Sequence, residues 1–308
     1  MKSLYHDHDG LIRHSILLLA ISYIPALANM LFQMLVGRML KDNKAEYGAL
    51  ASMLGIAVIA SIPLEALRVS VAHFSARMIQ DGRREEIWGA VRRISLRFLV
   101  LAAICVACVF ALGDWAAAFF RLSSPLPIVF IGFVVAGTLF IPIMVGALQG
   151  IQAFVWMSVG MHSFAVIRLL ASAVILSFVS ATAVGGIVGQ LLGVVCAIAI
   201  GFAGLRRALG RSNAGAIRIQ GFRLYLVRAL LMLGFFALLM NADILLIKHY
   251  FSEDQAGGYA RVATIARIIV FMPMPVAFAL FPKVVSDGVP GAGNRLLLFK
   301  AMAMSVMI

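Results

Sequence analysis

The chain has 308 residues, 63% of them hydrophobic and only 13% charged, with a mean hydropathy of +1.02 and a formal net charge of +13. This composition excludes an ordinary soluble domain and leaves a polytopic membrane protein. The excess of Lys and Arg then follows from membrane topology, so no nucleic-acid partner is expected.

Crossing the hydrocarbon takes about 20 apolar residues, and eight stretches qualify: 16–40, 47–72, 94–117, 125–148, 154–179, 184–205, 225–250 and 256–281. The first is too long for the core of a cleavable signal and lacks a small-residue cleavage site, so it reads as a membrane span. A ninth stretch opens at Leu296 and has 13 residues before Ile308. The sequence therefore reads as ending inside a helix, with the C-terminal part missing.

Two hairpins repeat one pattern. Asn29, Tyr47 and Pro63 recur as Asn241, Tyr259 and Pro275, all at an offset of 212 residues. A duplicated bundle is implied, as in many transporters. Arg77, Arg83, Arg84, Arg92, Arg93 and Arg97 crowd the second connection, and Arg206, Arg207, Arg211, Arg218, Arg223 and Arg228 crowd the sixth. Loops this basic are retained in the cytoplasm, which puts the N-terminus inside and predicts the inner (cytoplasmic) membrane. The expected organisation is an N-terminal lobe of six spans over residues 1–205, a basic cytoplasmic linker over 206–224 and a partial C-terminal lobe over 225–308. The fold class is an all-α integral membrane bundle: two parallel six-helix repeats around a central cavity, the second incomplete.

Gly185, Gly189 and Gly193 recur every fourth residue in the sixth span, the spacing that lets two helices approach closely. Trp88, Trp115 and Trp156 fall near span ends, where amphipathic rings sit at headgroup depth. Cys105, Cys108 and Cys196 lie in apolar runs and read as packing residues rather than a redox pair. His6, Asp7, His8 and Asp9 form an isolated polar tail, not a metal site. No nucleotide loop or catalytic triad is present, so no cofactor or metal is expected and the chain is not read as an enzyme.

Charges within spans carry the chemistry, because each costs about 2.5–3.5 kcal/mol at the bilayer centre unless it faces a cavity or a partner. Glu65 and Arg68 stand three apart on one helical face and can neutralise each other. Arg168 and Arg267 have no acidic neighbour in their own helices. Asp243 lies deeper than Lys248, which can snorkel outward, and Asn29 and Asn241 add polar groups to the two hairpins. A cavity shared by these groups is net basic and suits an anionic substrate. Arg68, Arg168, Arg267 and Lys248 are the candidate substrate-binding cations, since the Arg fork grips two oxygens and keeps its charge when buried. Asp243 and Glu65 are the candidate ion-coupling groups, with an Asp243–Arg267 pairing across the hairpin as the structural alternative. Pro25, Pro63, Pro142, Pro273 and Pro275 supply breaks at which helices can hinge.

The stretch from Asn241 to Val285, with Asn241, Asp243, the turn Gly257-Gly258-Tyr259-Ala260 and Phe281-Pro282, and its first-lobe partner from Asn29 to Leu67, with Gly37-Arg38, Tyr47-Gly48 and Pro63-Leu64, resemble the polysaccharide flippases. These are O-antigen flippase-like members of the multidrug, oligosaccharidyl-lipid and polysaccharide exporter superfamily. The resemblance implies two helical lobes around a central cavity that move a polyprenyl-pyrophosphate-linked oligosaccharide, an O-antigen or capsule repeat unit, from the cytoplasmic to the outer leaflet. The implied partners are this lipid-linked anionic glycan and membrane lipids, and the protein is read as a monomer. Two alternatives stand beside it. A cation-coupled multidrug exporter has the same duplicated bundle, but cationic substrates favour an acidic cavity. A membrane glycan polymerase or ligase needs a large outer loop bearing catalytic groups, and residues 114–127 are short and poor in them.

Overall fold

A computed structural model describes residues 24–61, 63–120, 122–210 and 220–250, together with 259 and 262. Among the described residues there is no strand, and the helices in chain order are α1 (24–39), α2 (Lys44–Ser61), α3 (Leu64–Gln80), α4 (Glu86–Phe119), α5 (Leu126–Thr138), α6 (Ile141–Gly150), α7 (Phe154–Phe178), α8 (Ala183–Leu209) and α9 (Phe222–Tyr250). Five helical segments here are long and apolar enough to cross a membrane: Lys44–Gln80, Glu86–Phe119, Leu126–Gly150, Phe154–Phe178 and Ala183–Leu209. The expected all-α membrane bundle is what the chain forms. Apart from 259 and 262, the eighth stretch lies outside the described residues, as do the start of the ninth and 211–219 of the basic linker.

Two of the expected spans are broken helices. The second divides into α2 and α3 just before Leu64, where Pro63 cannot donate to the preceding turn, and the fourth divides into α5 and α6 ahead of Pro142. Conversely, α4 starts eight residues before its apolar run at Ile94, because Ile87, Gly89, Ala90 and Val91 are buried against the bundle and hold the basic turns helical.

Two hydrophobic clusters are stacked along the bundle. One gathers Leu67, Val71 and Phe74 of α3, Ile87 of α4, Ile143 to Leu148 of α6 and Phe222 of α9. The other gathers Phe32 and Val36 of α1, Leu50 and Met53 of α2, Ile128 and Val134 of α5, and Ile187 and Val194 of α8. Ile141, at the α5/α6 break, packs against both.

Glycine sets the closest approaches. A Cβ on Gly189 would lie 2.0 Å from Ser172 Oγ, and one on Gly193 would lie 2.9 Å from the Phe164 carbonyl oxygen, so the glycine stripe of α8 is the seam against α7. A second seam, not anticipated from the sequence, joins α6 to α3 through Gly146 and Gly150. Of the three tryptophans, Trp115 is 68% exposed. Trp88 and Trp156 are partly buried and pack on the first cluster; Trp156 sits against Gly204 and beneath the Arg207 guanidinium, 5.4 Å away.

The start of α8 is tied to α2. Asn43 Oδ1 accepts from the Glu46 backbone N–H at 3.2 Å to cap α2, while the Glu46 carboxylate accepts from Ala183 N at 2.5 Å, at the positive end of α8. Losing this link in Glu46→Ala is expected to cost about 1–2 kcal/mol. In a chain of this size that is a fall in Tm of roughly 2–8 °C in detergent, read by size-exclusion profiles after heating; an unchanged Tm would show the contact to be energetically idle.

Candidate functional site

Three helices converge on Arg168. The α7/α8 seam brings Gln190 within reach, because α8 runs so close at Gly193 that a Cβ there would lie 3.2 Å from the Arg168 Cβ. Arg168 Nη1 donates to Gln190 Oε1 at 3.1 Å, and Nη2 donates to Asn29 Oδ1 of α1 at 2.6 Å. The Phe32 ring lies 3.9 Å from the guanidinium carbon and the Phe164 ring 5.3 Å, so the cation is flanked by aromatic faces. Arg168 is 8% exposed, and its Nε has no hydrogen-bond partner among the described residues. Neutral amide oxygens orient the guanidinium without cancelling its charge. A cleft of about 530 Å³ opens here, and Arg168 is the only charged residue among its described lining.

Arg68 is held differently. It forms the expected pair with Glu65 one turn away, with Nε 2.9 Å from both carboxylate oxygens, and it also donates to Gln149 of α6. Its charge is therefore balanced within its own helix, while the Glu65 side chain stays 46% exposed. Both residues line a smaller cleft of about 250 Å³. The two clefts share Ser61, Thr138 and Ile141, the residues at the two helix breaks. Ser61 Oγ donates to the Val58 carbonyl at 2.6 Å and Thr138 Oγ1 to that of Val135 at 2.7 Å, so each hydroxyl bonds within its own helix.

The structure thus brings Asn29 to Arg168 and Glu65 to Arg68, and it adds Gln190, Gln149 and Phe32, which the sequence reading left out. A polar residue one position from a glycine stripe was the available signal for Gln190. In the second hairpin, the Tyr259 hydroxyl donates to Asp243 Oδ2 at 2.9 Å. Arg267 and the side chains of Asn241 and Lys248 lie outside the described residues.

No protein-family model matches the chain, and no curated protein does. Solved structures do match. A transporter of the MOP superfamily from Pyrococcus furiosus shares 13% identity over 96% of this chain and 68% of its own, with a TM-score of 0.70. A MATE transporter from Vibrio cholerae in its bent form shares 11% over 97% and 69%, with a TM-score of 0.71. The MATE multidrug transporter DinF-BH shares 16% over 96% and 68%, with a TM-score of 0.67. The chain spans 65% to 73% of the length of the structures it matches. At these identities the likeness is one of architecture, and in architecture this chain has the fold of the MATE transporters of the MOP superfamily.

Proposed function

We propose that the protein is a transporter of the cytoplasmic membrane that moves a polyprenyl-pyrophosphate-linked oligosaccharide from the inner to the outer leaflet by alternating access. The observation that carries this reading is Arg168: a buried guanidinium, oriented by two amides and unneutralised among the described lining of its cleft. A fixed cation with free fork positions suits a pyrophosphate head, and the polyprenyl tail stays in the bilayer. Arg68 plays the lesser part because Glu65 already balances it, with Arg267 and Lys248 adding charge from the second lobe. Asp243 is the coupling group, its carboxylate held by Tyr259.

A second reading, a cation-coupled multidrug exporter, is supported by the fold likeness to structures described as multidrug transporters. The cleft charge weighs against it, since cationic drugs avoid an uncompensated Arg. Another fold neighbour, the Pyrococcus furiosus protein, is itself described as having a binding pocket of reversed polarity that suggests a different function.

The test deletes the gene in its host and assays the lipid-linked glycan with a membrane-impermeant probe, alongside efflux of a cationic dye. Glycan trapped on the cytoplasmic face with dye efflux unchanged is the expected result. Unchanged glycan distribution with lost dye efflux would replace this reading with the exporter.

A further inference from the structure

The helix α4 is the longest unbroken helix among the described residues and the least buried of the membrane-length segments. At 1.5 Å per residue its 34 residues extend about 51 Å, against a hydrocarbon core of about 30 Å. Only 11% of its most apolar stretch is buried, compared with 50% for Leu126–Gly150 and Ala183–Leu209. Leu96, Val100 and Ile104 are 50%, 61% and 54% exposed, which makes this face of α4 a lipid-contacting surface.

The basic end of the same face carries Arg92 and Arg97, both exposed, with Arg93 half-buried between them. At about 100° per residue, Arg92, Leu96, Val100, Ile104 and Arg97 fall within one sector of about 140°. Neither Arg92 nor Arg97 makes a hydrogen bond or ion pair among the described residues, whereas Arg83 is paired with Glu86 and Arg84 donates to the Ala208 carbonyl that ends α8. The two arginines are thus uncommitted cations on this face of α4. Arg97 lies one turn inside the apolar run, at the depth where a stem follows the apolar surface and its head reaches the phosphate layer.

We propose that this face of α4 is a site for an anionic glycerophospholipid. Arg92 and Arg97 clasp the headgroup phosphate, and Leu96, Val100 and Ile104 receive an acyl chain beneath it. The charge complementarity commits the site to an anionic lipid, because a zwitterionic headgroup adds a repelling ammonium to the same pocket. On the loop-charge topology, the lipid belongs to the cytoplasmic leaflet. The site is separate from the Arg168 cleft and stands or falls independently of the substrate carried there.

The experiment places the full chain in nanodiscs of phosphatidylcholine with a minor fraction of phosphatidylglycerol and reads retained lipids by native mass spectrometry. Phosphatidylglycerol should be enriched around the wild type, and Arg92→Gln/Arg97→Gln should cut that enrichment roughly tenfold. Lys41→Gln/Lys44→Gln, at the other end of the bundle, should leave it intact. Equal loss in both pairs, or no loss in the first, would overturn the site. Displacement of the lipid by inorganic phosphate would also overturn it, by showing a free-anion site. A measurement on the unaltered protein guards against misfolded variants: phosphatidylglycerol with a photoreactive acyl chain should label the Leu96–Ile104 segment above all other spans, and even labelling of all spans would count against the proposal.

Discussion

Replacing Arg168 by glutamine is expected to lower glycan translocation on the order of 100-fold while leaving the amount of protein in the membrane unchanged. The magnitude follows from one charge-assisted anchor of about 3 kcal/mol, at about 1.4 kcal/mol per decade. Protein level should hold because Gln190 and Asn29 are polar groups beside an open cleft, where water can replace the guanidinium. Arg168→Lys should recover only part of the activity: it restores the charge, but a single ammonium cannot reach Gln190 and Asn29 as the fork does. The same assay on Arg68→Gln should show a smaller loss, and Glu65→Gln/Arg68→Gln should be milder still, since the pair is removed together rather than leaving Glu65 alone. Full translocation by Arg168→Gln would sink the anionic-substrate reading.

Gly146→Val is expected to have a large structural effect, abolishing the folded bundle or cutting its yield severely, because Gly146 makes the tightest approach to another helix's backbone of any described glycine. A Cβ at this position would lie 2.4 Å from the Arg68 carbonyl oxygen and 3.2 Å from Ala72 N, both backbone atoms of α3 that no rotamer change can move. Even Gly146→Ala therefore forces α6 away from α3. Overpacking of this kind costs about 1–3 kcal/mol, occasionally more, and the two further methyl groups of valine add to it. Gly55→Ala is the matched control, because nothing lies within 4 Å of its Cβ position and helix propensity favours alanine by about 1 kcal/mol. The check is the fluorescence size-exclusion profile of each variant after graded heating. Similar Tm values for Gly146→Ala and Gly55→Ala would mean that α3 and α6 are not seamed as described. The seam also bears on the second cleft, since a Cβ on Gly146 would meet the Arg68 backbone while Gln149 of the same helix holds the Arg68 side chain.

Features fixed by local pattern were legible in the sequence. Runs of about 20 apolar residues marked the spans, since a helix of that length crosses the hydrocarbon with every backbone group bonded within its own segment. Pro63 and Pro142 marked the two breaks, since a missing N–H acts within one turn. Glu65 and Arg68 could be paired in advance because three residues on a helix is a fixed geometry. The glycine stripe of α8 announced a close helix contact for the same reason. Partners brought together across the bundle could not be read this way. Arg168 and Asn29 are 139 positions apart, and nothing local to either says that α1 and α7 meet. Gln190 reaches Arg168 only because Gly193 lets α8 close on α7, and the Gly146 seam depends on which face of α6 meets α3. Residue order and hydropathy were enough to establish that the bundle holds buried cations. It took the packed helices to show that Arg68 also meets Gln149 of α6, while Arg168, among the described residues, donates hydrogen bonds only to amides and keeps its charge. Hydropathy and helical spacing act over a few residues, whereas the neutralisation of a buried charge depends on every helix packed around it.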